Sequence, residues 1–215
     1  MKIISINVAQ PEEVLIGGRP VLTGIYKSPV RGPVVLGKLG FAGDGQADLK
    51  VHGGEYQAVY GYPVEHYAHW EKRFARGPLT PGLFGENLTT NGLLETEVCV
   101  GDIFQMGTAQ LQVTMHRLPC FKFAHKTGRA DLLKDFLQSG HSGFYFKVVA
   151  EGVLSAGDTI VKIRADPHAI SIRTLLGMHK LDAFDPECVR QALKIAVLPP
   201  LIRDDFIAKL AAVEA

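Results

Sequence analysis

Long apolar runs are missing from this chain of 215 residues. No stretch approaches the roughly 18 consecutive apolar residues that span a bilayer, and the opening "MKIISINVAQ" lacks the apolar core of a signal peptide. The expectation is a soluble, unprocessed chain with no membrane partner. An excess of either charge is missing too. With 23 Lys and Arg against 22 Asp and Glu the net charge is +1, which gives no bulk electrostatic reason to expect nucleic acid as a partner, so any basic site must be local. Cysteine is scarce. Cys99, Cys120 and Cys188 are odd in number, widely spaced and without a C-x-x-C; neither a disulfide framework nor a structural zinc site is indicated, and a reducing cytoplasmic setting fits. No G-x-G-x-x-G follows a strand pattern, so the chain carries no flavin or nicotinamide fingerprint.

What is present is a sheet-rich pattern. At 47% hydrophobic residues the chain can bury one large core, alone or with a small appendage. Residues 2 to 9 read as an opening strand, and "RPVLTGIYKSPV" and "GPVVLGKLGFAGDG" as short strands broken by Gly and Pro, the punctuation of a barrel or sandwich. "YPVEHYAHWEKRFARG" carries Tyr67, Trp70 and Phe74 at helical spacing and predicts a helix stopping near Gly77. Residues 97 to 116 predict two or three strands with tight turns, and "RADLLKDFLQSG" a second helix ending at Gly140. Gly101-Asp102 and Gly157-Asp158 each stand before an alternating strand, which suggests one corner used twice. After Pro167 three short helical patterns follow, at about 171 to 177, 185 to 195 and 199 to 212. The chain therefore divides near 165, into a mainly β body (1–165) and a helical extension (166–215) that docks on the body or on a partner.

Cys120 is the first candidate for chemistry. It follows Pro119, which tends to end a strand, and Arg117, Lys122, Lys126 and Arg129 are close in sequence. Cations near a thiol favour the thiolate, the form that attacks electrophiles or binds soft metals; the alternative is a small buried hydrophobe. Cys99 and Cys188 lack such neighbours and read as structural. In "GFAGDGQADLKVHGGEYQAVY", Gly53 and Gly54 after His52 allow close backbone approach to an anion or flat ligand, with Asp44 nearby, or else form a simple hairpin turn. "PGLFGENLTTNG" adds Glu86 and Asn87, able to bond the edge of a heterocycle or to cap a turn. His66 and His69 share a helix face without the further ligands zinc needs, and read as packing. Lys27, Arg31, Arg117 and Arg129 form a phosphate pocket if the fold brings them together.

The segments "GDGQADLKVHGGEYQAVYGYPVEHYAHW", "PGLFGENLTT", "VGDIFQMGTAQLQVTMHRLPC" and "GRADLLKDFLQSGHSGFYFKVVAEG" together resemble the MOSC domain, and in particular its YiiM-type subgroup, whose members carry a helical C-terminal extension. The resemblance spans almost the whole chain. It implies a mainly β, barrel-like body that binds the molybdenum cofactor (molybdopterin), with Cys120 of the "PC" motif as metal ligand or sulfur carrier. It also implies reduction of N-hydroxylated compounds, including N-hydroxylated base analogues, in detoxification. Arg117, Lys27, Arg31 and Arg129 would hold the cofactor's anionic groups, and His52, Asp44, Glu86 and Asn87 would orient pterin or substrate. His116 departs from the pattern, standing where many relatives have proline, which bears on substrate preference. Electrons would come from a separate reductase, a flavin or iron-sulfur protein, and a homodimer is left open. Two other readings remain at this point: a persulfide carrier on Cys120, and a non-catalytic cofactor-binding module that recruits a redox partner.

Overall fold

The structure, a computed structural model, describes residues 1–47, 53–75, 77–181 and 183–214. The first strands are β1 (Lys2–Val8), β2 (Glu12–Ile16), β3 (Arg19–Thr23), β4 (Ser28–Pro29), β5 (Val34–Gly37), β6 (Gly40–Phe41) and β7 (Val59–Pro63). Helix α1 (Tyr67–Phe74) leads to β8 (Leu88–Asn91), β9 (Ile103–Met106) and β10 (Ala109–His116). Two short helices, α2 (Phe121–Thr127) and α3 (Leu132–Ser139), precede β11 (Phe144–Ala150), β12 (Gly152–Leu154) and β13 (Ile160–Arg164). The chain then turns helical, with α4 (Ile172–Lys180), α5 (Pro186–Ala192) and α6 (Pro200–Glu214). Among the described residues no helix is long and apolar enough to cross a membrane.

The main sheet has eight strands in the order β13-β9-β10-β11-β7-β8-β1-β4, with only β7 and β8 parallel. Its far sides meet at the starts of β1 and β13: Ile160 N donates to Met1 O and Ile3 N to Asp158 O, each at 3.0 Å, around the single bridge Lys2–Thr159. The expected barrel is thus a sheet curled until its ends touch over a few residues; among the described residues no continuous ladder closes it. A second sheet runs β12-β5-β6, and β2 and β3 form a hairpin of their own.

The repeated Gly-Asp corner is real. Asp102 Oδ2 accepts from Cys99 N at 3.0 Å and Asp158 Oδ2 from Ser155 N at 2.8 Å. Gly101 (φ 92°) and Gly157 (φ 95°) take the left-handed backbone that each corner requires. Helix α1 buries Tyr67, Trp70 and Phe74 as their spacing predicts, yet it stops at Ala75, itself left-handed at φ 51°, two residues before Gly77. The three C-terminal helices lie at 172–180, 186–192 and 200–214, close to their predicted positions. Ile172, Leu175, Val189, Ile202 and Phe206 are buried in the same apolar cluster as Ile3, Phe104, Val113 and Phe146 of the sheet. The extension is therefore packed into the body's core. A second cluster, mostly aromatic, joins Tyr60 and Tyr62 of β7 to Trp70, Phe84, Phe123 and Phe136. Each of these fully buried rings stabilises the fold by about 2–3 kcal/mol, and Trp70 Nε1 donates to the Tyr62 hydroxyl at 2.6 Å. This cluster forms the floor on which the candidate site rests.

Candidate functional site

Strand β10 alternates buried and half-buried residues up to Val113, then buries every residue to its end at His116. The register against β11 shifts between Val113 and Met115; such a bulge re-aims the side chains beyond it. Past the bulge the chain leaves the sheet through Arg117, Leu118 and Pro119 and enters α2, with Cys120 in extended backbone (φ −129°, ψ 171°) and its carbonyl accepting from Phe123 N at 3.0 Å. Arg117 and Cys120 thereby come to face one open cleft enclosing about 670 Å³, solvent at its mouth included. Lys27, Asp44, Asn87, Tyr60, Lys122 and Tyr145 also line it.

Arg117 is buried, and its guanidinium carbon lies 4.6 Å from the Tyr60 ring centroid, 5.8 Å from Phe123 and 6.0 Å from Phe136. One Nη1 donates to the carbonyl of Phe84. Burial alone would lower its pKa, but Tyr60, Tyr145 and Cys120 outweigh that and raise it, so Arg117 is a permanent cation held by aromatic faces. Tyr60 and Tyr145 sit directly opposite on β7 and β11, rings 5.3 Å apart. Burial raises the pKa of both, so both stay neutral donors. The Tyr60 hydroxyl donates to Ser142 O at 2.8 Å.

Lys27 forms a nearly buried ion pair with Asp44, with side-chain exposures of 9% and 7%. Burial lowers its pKa while Asp44 and then Glu86 oppose the shift. Lys126, behind the wall, donates to Gly82 O at 2.6 Å and Ile25 O at 2.8 Å. Burial brings it down to about 8, with Glu86 resisting and Arg117 and Lys27 adding to the fall. Lys27, Arg117 and Lys122 thus share one cleft with Cys120, and Lys126 adds its charge from behind the wall. An arrangement of this kind can bind a large anion and present a soft ligand to it.

Residues 48–161 match the MOSC domain. The chain is 38% identical over 207 residues to the uncharacterized protein YflK of Bacillus subtilis, covering 96% of this chain and 93% of that one. The chain belongs to the MOSC domain family. YiiM of Escherichia coli is 40% identical over 141 residues, 65% of this chain and 62% of that protein. The crystal structure of YiiM from Geobacillus stearothermophilus superposes with a TM-score of 0.82 at 39% identity, over 97% of this chain and 98% of that one, so the MOSC protein described here is of the YiiM type, helical extension included. A protein named Reductase from Gibberella moniliformis is 32% identical over 164 residues, 74% of this chain but only 28% of that protein's length.

Of the residues singled out from sequence, Cys120, Arg117, Lys27, Asp44 and Asn87 line the MOSC cleft. Asp44 and Asn87 spend their polar atoms on the protein: Asp44 Oδ1 accepts from Ala9 N at 2.9 Å, while Asn87 donates to Asp44 Oδ2 at 2.8 Å and accepts from Tyr60 N at 3.1 Å. They are wall rather than ligand hooks. Glu86 is fully buried, its Oε1 accepting from Tyr67, Gly82 N at 2.8 Å and Thr89 Oγ1 at 3.0 Å. It does not reach the cleft and acts on Lys27 and Lys126 only through its charge. Gly54 N donates to Gln46 Oε1 at 3.2 Å, so that amide serves the loop, and Gly53 lies outside the cleft wall. Arg31 is exposed after β4. Arg129 is paired with Asp131 through two bonds of 2.7 and 2.8 Å; neither arginine joins the cleft, because the turn after α2 carries Arg129 toward Arg73. His52 lies outside the described residues. Tyr60 and Tyr145 were not anticipated, whereas Lys126, read from sequence as a cation near Cys120, lies behind the cleft wall. Tyrosines within the apolar runs "VYGYP" and "FYFK" are a signal of a polar function inside a sheet, but only strand pairing brings them together. His66 is bonded to Glu95 at 2.7 Å, and among the described residues no His, Cys, Asp and Glu group is arranged to hold a metal ion.

Proposed function

We propose that this MOSC protein binds the molybdenum cofactor in the Cys120 cleft and reduces N-hydroxylated compounds, drawing electrons from a separate flavin or iron-sulfur reductase. The observation that carries the reading is the meeting of Cys120 with Arg117, Lys27 and Lys122 around one cleft. The donor set fits the group: a thiolate is a soft ligand for molybdenum, and the cations match the phosphate of a pterin cofactor. The distant relative named Reductase, in which the matching part is a minor share of a longer chain, supports an oxidoreductase role. When bound, the cofactor supplies a two-electron redox centre. The protein's own residues do the rest. Arg117 and Lys27 fix the anionic end, Cys120 supplies the sulfur ligand, and Tyr60 and Tyr145 keep neutral hydroxyls along the wall. Overall, the N–O bond of R–NHOH is cleaved, two electrons and two protons are consumed, and amine and water leave.

Turnover of an N-hydroxylated purine with reduced methyl viologen as electron source tests this, on protein made in a host that synthesises the cofactor. Amine should form with the wild type and fall at least about 100-fold in Cys120→Ser, as for loss of a direct ligand. Full activity in Cys120→Ser rejects the reading.

A further inference from the structure

The strand that delivers Arg117 and Cys120 is held from behind by helices that take no part in the cleft wall. His116, last residue of β10, is fully buried. Its Nε2 lies 3.0 Å from Nδ1 of His179 on α4. On the far side of His179, Nε2 is 3.7 Å from Oδ2 of Asp205 on α6, and Lys209 donates to His179 O at 2.7 Å and pairs with Asp205 at 3.0 Å. His116 Nδ1 has no partner among the described residues. Burial, helped by His179 and Lys180, pushes His116 down to about 3; burial and Lys180, with Asp205 opposing and Lys209 assisting, push His179 down to about 4. Both rings are therefore neutral, each with one donor and one acceptor nitrogen.

That leaves two proton arrangements. If His179 donated from Nδ1, its bare Nε2 would face the Asp205 carboxylate and His116 would be left with a buried N–H pointing at nothing. If His179 carries its proton on Nε2 toward Asp205, its Nδ1 accepts from His116 and the unpaired atom is only a bare acceptor. The second is favoured on both counts. The His116–His179 hydrogen bond is thus directional and ties the sheet to α4, while Asp205 of α6, at 3.7 Å and with Oδ2 accepting no hydrogen bond among the described residues, acts on His179 through its charge. The bond acts where the ladder is weak: the β10–β11 register has just shifted, and Arg117 N reaches Gly143 O only at 3.4 Å.

We propose that the C-terminal extension is a positioning clamp, in which His179 fixes His116 and thereby the Arg117–Cys120 turn that lines the cleft. His116 is accordingly a positioning residue and not part of the substrate surface. The inference goes beyond the cofactor reading, since it concerns a thiol that is present whatever the cleft binds.

The test is the rate of iodoacetamide labelling at Cys120 in the full chain, resolved by peptide mass spectrometry, with Cys99 and Cys188 read in the same sample. His179→Phe should speed Cys120 labelling at least about fivefold, the equivalent of losing one net hydrogen bond. His179→Asn, whose amide oxygen can take the acceptor position of Nδ1, should return it to within about twofold. Cys99, bridged to Ser171 at the start of α4, and Cys188 on α5 should keep their wild-type rates. An unchanged Cys120 rate in folded His179→Phe, or an equal rise at all three cysteines, overturns the clamp. Should His179→Phe not fold, His179→Leu, which also removes the acceptor facing His116, decides: a selective rise at Cys120 supports the clamp and wild-type labelling overturns it.

Discussion

Asn87 Nδ2 donates to Asp44 Oδ2 at 2.8 Å while the other oxygen of the same carboxylate pairs with Lys27. One carboxylate therefore ties β8's lead-in to the cation that faces the cleft. Asp44→Ala would strand an ammonium whose side chain is only 9% exposed, and a destabilisation of about 3 kcal/mol is expected. Urea unfolding midpoints measure it, with Asp44→Asn, which keeps the hydrogen bond from Ala9, losing less.

Acid should weaken the fold through its neutral histidines. The folded pKa of His116 is about 3, below the unfolded value near 6.5, so between those values only the unfolded chain takes up the proton. Stability is constant above about pH 6.5 and falls with acid, by up to ~1.4 kcal/mol per pH unit for this ring. His179 and His141, each about 4, act in the same direction. Thermal unfolding at pH 7 and pH 5 should show a shallower loss in His116→Gln than in wild type; an identical slope counts against a neutral His116.

Arg117→Lys is not conservative here. A lysine cannot stack a planar cation between Tyr60, Phe123 and Phe136 while bonding Phe84 O. The variant should fold and bind inorganic pyrophosphate at least about tenfold more weakly by calorimetry. Equal affinity would remove Arg117 from the anion site.

Gly140 ends α3 at φ 70°, and a Cβ there would overlap the Arg173 guanidinium, which bonds Ser139 O at 2.5 Å. Gly140→Ala should cost about 2 kcal/mol from backbone strain and from displacing α4's contact with α3. Denaturant unfolding reads this, and a change under half that size would mean Arg173 moves aside freely.

Elements with strong periodicity were legible in the sequence: β1, α1, α3, the repeated Gly-Asp corner and the three late helices. Helix α2 was not, since "PCFKFAHKTG" opens on Cys120, without the usual capping residue, and spans only seven residues. The β2–β3 hairpin carried a readable Gly17-Gly18 turn with both φ positive that was passed over. At the site, Cys120 and Arg117 were legible because strand end, proline and cation adjoin in sequence. The inward turn of Glu86 depends on Tyr67 and Thr89, and the Tyr60–Tyr145 pair on the β7–β11 register, neither of which local pattern encodes. His116 reads as a specificity position only until α4 is seen covering it.

The most direct measurement is molybdenum by elemental analysis together with oxidised-pterin fluorescence, on protein from a cofactor-competent host, wild type beside Cys120→Ser. Near-stoichiometric molybdenum and pterin in the wild type, with the metal lost in the variant, is the predicted result. Molybdenum retained without Cys120, or neither component in the wild type, would contradict it.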